Sequence, residues 1–123
     1  MIKCLMLACM LPLIFTLCSP RQDPNLNRDK RGEAIKLVQN SSGRDGTHKT
    51  VDFATQDVNI LRLSGEKVAE YGWSAESDSS SANDYYVKFA YKGKDGVKEA
   101  IWKVNVVTKE VKATNTQAHK YSG

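Results

Sequence analysis

The sequence predicts an α+β domain, with one or two short helices packed on an antiparallel sheet of about four strands. Three observations carry that expectation. Apolar residues alternate along Tyr85–Tyr91 and again along Ala100–Val106. Two glycines flank Lys94-Asp95 between those runs, as a hairpin turn requires. Upstream, Ala34, Ile35, Leu37 and Val38 form a stripe at helical spacing.

Residues 1–18 read as an export signal. Lys3 is the only charge before an uncharged run from Cys4 to Cys18. That run is shorter than the about 20 apolar residues that a bilayer-spanning helix needs. All three cysteines, Cys4, Cys9 and Cys18, fall within it. The rest of the chain therefore holds no disulfide, no thiol nucleophile and no cysteine metal ligand.

Phe15-Thr16-Leu17-Cys18-Ser19 resembles the lipobox of bacterial lipoproteins, with Leu17 standing where that family has Gly, Ala or Ser. The resemblance implies cleavage before Cys18, lipidation of Cys18, and a protein held at the membrane of the cell envelope. Without lipidation, the same signal predicts a secreted protein beginning near Ser19 or Pro20. The polar stretch Ser19–Arg31 contains two prolines and reads as a disordered tether. Its 13 residues would reach about 40 Å when extended. Arg28-Asp29-Lys30-Arg31 also resembles a furin-type processing site, and Asn40-Ser41-Ser42 is a glycosylation sequon. Together these would make a eukaryotic secreted pro-protein. The lack of disulfides in so small an exported domain argues against that origin.

Residues 32–123 are expected to form a single domain. Gly32–Asn40 is its first helix, stopped by Ser41-Ser42-Gly43. A loop follows over Arg44–Lys49. Thr50–Trp73 reads two ways: Val51 and Phe53 alternate as in a strand, whereas Val58 and Leu61 share a helical face. Gly72–Glu76 reads as a strand with Trp73 inward, and Ser77–Asp84 as a solvated loop. The strands Tyr85–Tyr91, Val97–Thr108 and Val111–Asn115 complete a meander. They are joined by turns at Lys92–Gly96 and at Lys109-Glu110, and the tail after Asn115 is expected to fray. The expected core is Leu37, Val38, Trp73, Val87, Phe89, Trp102, Val104 and Val106.

Trp102–Val111 resembles the terminal hairpin of PepSY-type domains of exported bacterial proteins, with Lys109 in place of the usual turn glycine. That resemblance implies an envelope location. A cystatin-like helix-on-sheet fold fits the same pattern.

The chain has 123 residues, a net charge of +4 and 26% charged residues. So mild a basic excess, without an arginine-rich run, does not point to nucleic acid. His48, near Asp45 and Asp52, is the one histidine placed for nucleophilic catalysis with a serine, but no G-x-S-x-G motif accompanies it. His119 lies in the tail, and two histidines so far apart make no metal site by spacing. Glu76, Asp78, Asp84 and Glu99 offer the paired carboxylates of a glycosidase, but a domain of about 90 residues rarely shapes a saccharide cleft with two buried acids, and solvated acids are expected. Lys88, Lys103 and Lys112, with Tyr86, mark a candidate binding surface on the solvent face of the meander. The expectation is a monomeric, non-catalytic envelope domain without cofactor or metal. It would bind a protein or an anionic polymer such as lipopolysaccharide or teichoic acid. The alternatives are an inhibitor of an exported hydrolase, acting through Ser77–Asp84, and a small hydrolase using His48.

Overall fold

The computed structural model describes residues 23–122, with side chains from Lys30 onward. The export signal, Cys18 and the start of the tether lie outside the described residues. The elements in order are α1 (Asp23–Gln39), α2 (Thr50–Leu63), β1 (Ala69–Ser77), β2 (Asp84–Gly93), β3 (Gly96–Asn105), β4 (Glu110–Ala113) and α3 (Thr116–Ser122). The sheet is a four-stranded antiparallel meander in the order β1-β2-β3-β4. The α+β class holds, with three helices among the described residues rather than one or two.

Period two sets the inner face of the sheet. Tyr85, Val87, Phe89 and Tyr91 of β2 are buried, as are Ala100, Trp102 and Val104 of β3. Large residues oppose small ones across the ladder, as in Phe89 opposite Ala100 and Trp102 opposite Val87. Trp73 stacks on Trp102 at 5.5 Å between centroids and lies 4.9 Å from Phe89. Tyr121 of α3 completes the cluster, 6.3 Å from both Phe89 and Trp102. All three helices lie on this face. α1 packs against β1, β2 and β3, while α3 packs against β3 and β4.

Four boundaries differ from the sequence expectation, each for a local reason. α1 begins at Asp23, so much of the stretch read as a tether is helical. Pro24 sits in the first turn, where no backbone N–H is needed. Gly32, expected to open the helix, lies inside it with open space around its Cα.

α2 replaces the strand suggested by Val51 and Phe53. Its buried stripe is Thr50, Ala54 and Val58, four residues apart, and two of those side chains are small. The Asp52 carboxylate accepts the Lys49 N–H at 3.1 Å and closes the first turn. Thr50 is fully buried and shares a 2.8 Å hydrogen bond with the Ser41 hydroxyl, which satisfies its polar atom.

β3 ends at Asn105, three residues early. The Asn105 carboxamide oxygen accepts the N–H groups of Val107 and Thr108, both at 2.9 Å, and turns the chain. Lys109 then takes φ 69°, the left-handed conformation for which glycine is usual.

The tail is a helix. Asn115 Oδ1 caps α3 by accepting the Ala118 N–H at 3.0 Å. Its amide nitrogen donates to the Glu99 carbonyl at 2.9 Å. Ala118 and Tyr121 are buried, so this tail is part of the core.

Candidate functional site

No described helix lies on the other face of the sheet. Alternation along the strands points the remaining side chains there, and register arranges them in rows. One row runs Glu76, Tyr86, Lys103, Lys112 from β1 to β4. The neighbouring row on β1–β3 is Ser74, Lys88, Ile101. All four residues of the expected binding surface are thus brought together on one face. Tyr86 is 38% exposed, which is substantial for a ring in the middle of a sheet. A groove of about 560 Å³ crosses this face, with Tyr86, Lys88, Ile101, Glu76 and Glu99 in its lining.

The charge on this face is mixed. Lys88 Nζ lies 3.3 Å from Glu99, and Lys103 Nζ lies 3.7 Å from Asp78. Lys112 stands directly across from Lys103 with no carboxylate partner among the described residues. Like charges opposite one another on a sheet are unfavourable, and only Lys103 is compensated.

The serine-rich loop is built around Asp78. Its carboxylate accepts the Ser80 N–H at 2.9 Å and the Ser80 hydroxyl at 2.8 Å, and these bonds hold it below the usual carboxylate range. The loop is also stitched to the sheet, since Asp78 N–H donates to the Asp84 carbonyl and Val106 N–H to that of Asn83. It is a short anchored connection rather than a projecting arm.

His48 is exposed in the loop before α2. Its Nδ1 lies 2.7 Å from Asp45 Oδ2, while Asp45 Oδ1 accepts the N–H groups of Thr47 and His48, both at 2.9 Å. Those bonds hold the Asp45 carboxyl far below its ordinary range. Thr47 Oγ1 also approaches Nδ1, at 3.2 Å, so both neighbours crowd the same nitrogen. Among the described residues no serine hydroxyl is bonded to the ring. Phe53 meets the imidazole edge-on at 5.9 Å, and Arg44 lies over the Phe53 ring at 4.7 Å. The arrangement closes a loop. His119 stands in α3, far from this pair in the sequence.

The Asp45 hydrogen bond raises the His48 pKa above its ordinary value. Protonated His48 is therefore favoured in the folded protein. Its contribution to stability is present in full below about pH 6.5 and fades as pH rises through the raised value. An NMR titration of the His48 ring is expected to show a midpoint above about 6.5 and a downward shift in Asp45→Asn.

One polar cluster has no precedent in the sequence pattern. Asp57 Oδ2 accepts the Tyr121 hydroxyl at 2.6 Å, the Tyr91 hydroxyl at 3.1 Å and the Gln117 amide at 3.3 Å. Burial, followed by the adjacent Asp57 charge, pushes the Tyr91 pKa up to about 12. Burial and the hydrogen bond to Asp57 push Tyr121 higher still. Both phenols stay protonated near neutral pH and act as donors. The cluster ties α2, β2 and α3 together.

Among the described residues no group of three His, Cys, Asp or Glu side chains is placed to hold a metal. No described helix is long and apolar enough to cross a membrane. A scan of protein-family models finds no match to this chain, and neither the curated proteins nor the solved structures give one.

Proposed function

We propose that this protein is an exported, non-catalytic binding domain whose open sheet face takes a protein partner. The observation that carries the reading is the uncovered face itself, with Tyr86 and Lys88 lining a groove of about 560 Å³ and Lys103 and Lys112 continuing the row of Tyr86. An antiparallel sheet can stand with one face in water, so the open face alone is ordinary. A half-exposed tyrosine in mid-sheet beside the like-charged Lys103–Lys112 pair is what suggests a contact surface. Glu76, Asp78 and Glu99 are interleaved with the lysines. That mixture suits a partner with charges of both signs better than a uniform polyanion.

A photoreactive phenylalanine analogue at position 86 is expected to give a protein adduct of one discrete mass in intact cells. The same analogue at the exposed position 67 is expected to give none. Crosslinking to polymer alone, or equal crosslinking at both positions, would contradict the reading.

The export half of the proposal rests on the signal-like run and on Cys18. With α1 beginning at Asp23, only Ser19–Gln22 separate Cys18 from the helix. Four residues reach about 13 Å, so a lipid on Cys18 would hold α1 close to the headgroups. Two or more acyl chains give stable anchoring, since each buried methylene contributes about 0.8 kcal/mol. Cys18→Ser is expected to abolish labelling by a radioactive fatty acid and to leave an unprocessed precursor. A soluble mature protein unaffected by the substitution would sink the lipid anchor and leave the domain as described.

A further inference from the structure

A second groove lies on the helix side of the sheet, apart from the open face. It has a volume of about 720 Å³ and runs between α1 and β4. Gly32, Leu37, Asn40 and Val111 are in its lining, with Lys36 and Lys109. Leu37 and Val111 are half-buried and give it an apolar floor.

The wall formed by β4 is a free edge of the sheet. Thr114 N–H donates to the Ile101 carbonyl at 2.9 Å, which sets the alternation of the β3–β4 ladder. By that alternation Glu110 and Lys112 turn their backbone groups toward β3. Val111, between them, turns its N–H and C=O outward along the groove.

The charge around the groove is unbalanced. Lys109 is paired with Glu33 at 3.3 Å. Lys36 is exposed and has no carboxylate partner among the described residues. Lys49, nearby, donates to the Asn40 side chain at 3.3 Å. The site thus joins three features. It has a backbone donor and acceptor on the edge strand, an apolar floor beneath them, and one lysine of the helix above, Lys36, left over once Glu33 is paired with Lys109.

We propose that this groove binds an extended acidic segment of a partner protein, which adds to β4 as a fifth strand. Its main chain would exchange hydrogen bonds with Val111. Its alternate apolar side chains would rest between Leu37 and Val111, and a carboxylate would meet Lys36. The residues just before α1 do not match that description, because Ser19–Gln22 carries Arg21 and no acid. The proposal is independent of the open-face reading, since the two sites lie on opposite faces of the sheet.

The test is an amide NMR titration of the full chain with a capped hexapeptide whose central valine and flanking glutamates, separated by threonines, share one face of the strand. Two control peptides accompany it: one with lysine replacing glutamate, and one N-methylated at its central valine. The acidic peptide is expected to shift the Val111 amide together with those of Lys36 and Leu37. The lysine peptide is expected to leave them in place, and N-methylation to remove binding. Lys36→Glu is expected to weaken the acidic peptide by roughly tenfold. Lack of any shift at Val111, or equal binding by the N-methylated peptide, would overturn the proposal. So would Val111 shifts that follow protein concentration without peptide, since they would assign the edge to a second copy of the chain.

Discussion

Trp102→Ala is expected to destabilise the protein by about 3–5 kcal/mol, the range for emptying an aromatic site in a packed core. The ring is fully buried, stacks on Trp73 and faces Tyr121. Its Nε1 donates to the Ser122 hydroxyl at 2.7 Å, so the substitution also removes a hydrogen bond to α3. Lys103→Ala, one residue on and on the opposite face, is expected to change stability by less than about 0.5 kcal/mol. Lys103 has a single partner at 3.7 Å and a side chain 42% exposed, so its ion pair contributes little. Urea unfolding of both variants measures the contrast. Equal midpoints would mean that β3 faces the other way.

Tyr121→Ala is expected to cost a similar amount, about 3–5 kcal/mol, although it is the third residue from the end of the sequence. Its ring covers Phe89 and Trp102, and its hydroxyl is the shortest donor to Asp57. Tyr121→Phe keeps the ring but loses the bond donated to Asp57 and the one accepted from Gln117. For the bond to the carboxylate about 1.5–3 kcal/mol is the usual range. Ending the chain at Asn115 removes the helix altogether and uncovers the aromatic cluster. That shortened protein is expected to show no cooperative thermal transition. If it melts like the full chain, α3 does not belong to the core.

The middle of the fold was legible because its signal is local. In β2 and β3 the apolar residues repeat every second position and are large, so face and partner strand follow directly. The turn between them was legible from Gly96, which takes φ 105°. The helices were harder for reasons of size and separation. The buried stripe of α2 is Thr50, Ala54 and Val58. The helical face read from Val58 and Leu61 holds, but two of the three buried side chains are small or polar, and the large Ile60 and Leu63 are exposed, so apolar residues alone left helix and strand both open. α3 is one short helix with two buried side chains, and its clearest sign is the capping residue Asn115. The start of α1 was hidden by the polar composition of residues 23–31.

The same distinction holds for the sites. Tyr86, Lys88, Lys103 and Lys112 were read from strand alternation, and the fold gathers them as alternation requires. Their partners Glu99 and Asp78 depend on register and loop geometry, which alternation does not set. The Asp57 cluster joins residues 34 and 64 positions apart, and no local pattern announces such a contact. The groove beside β4 is equally distant in sequence, since it pairs Leu37 with Val111.

Lysine acylation rates most directly test the claim that the open sheet face is the binding surface. They are compared between the purified protein and the protein in intact cell envelopes. Lys88, Lys103 and Lys112 are expected to react several-fold more slowly in the envelope, while Lys67 and Lys94 react alike in both settings. Unchanged rates at the three face lysines, or slowing confined to Lys67 and Lys94, would contradict it.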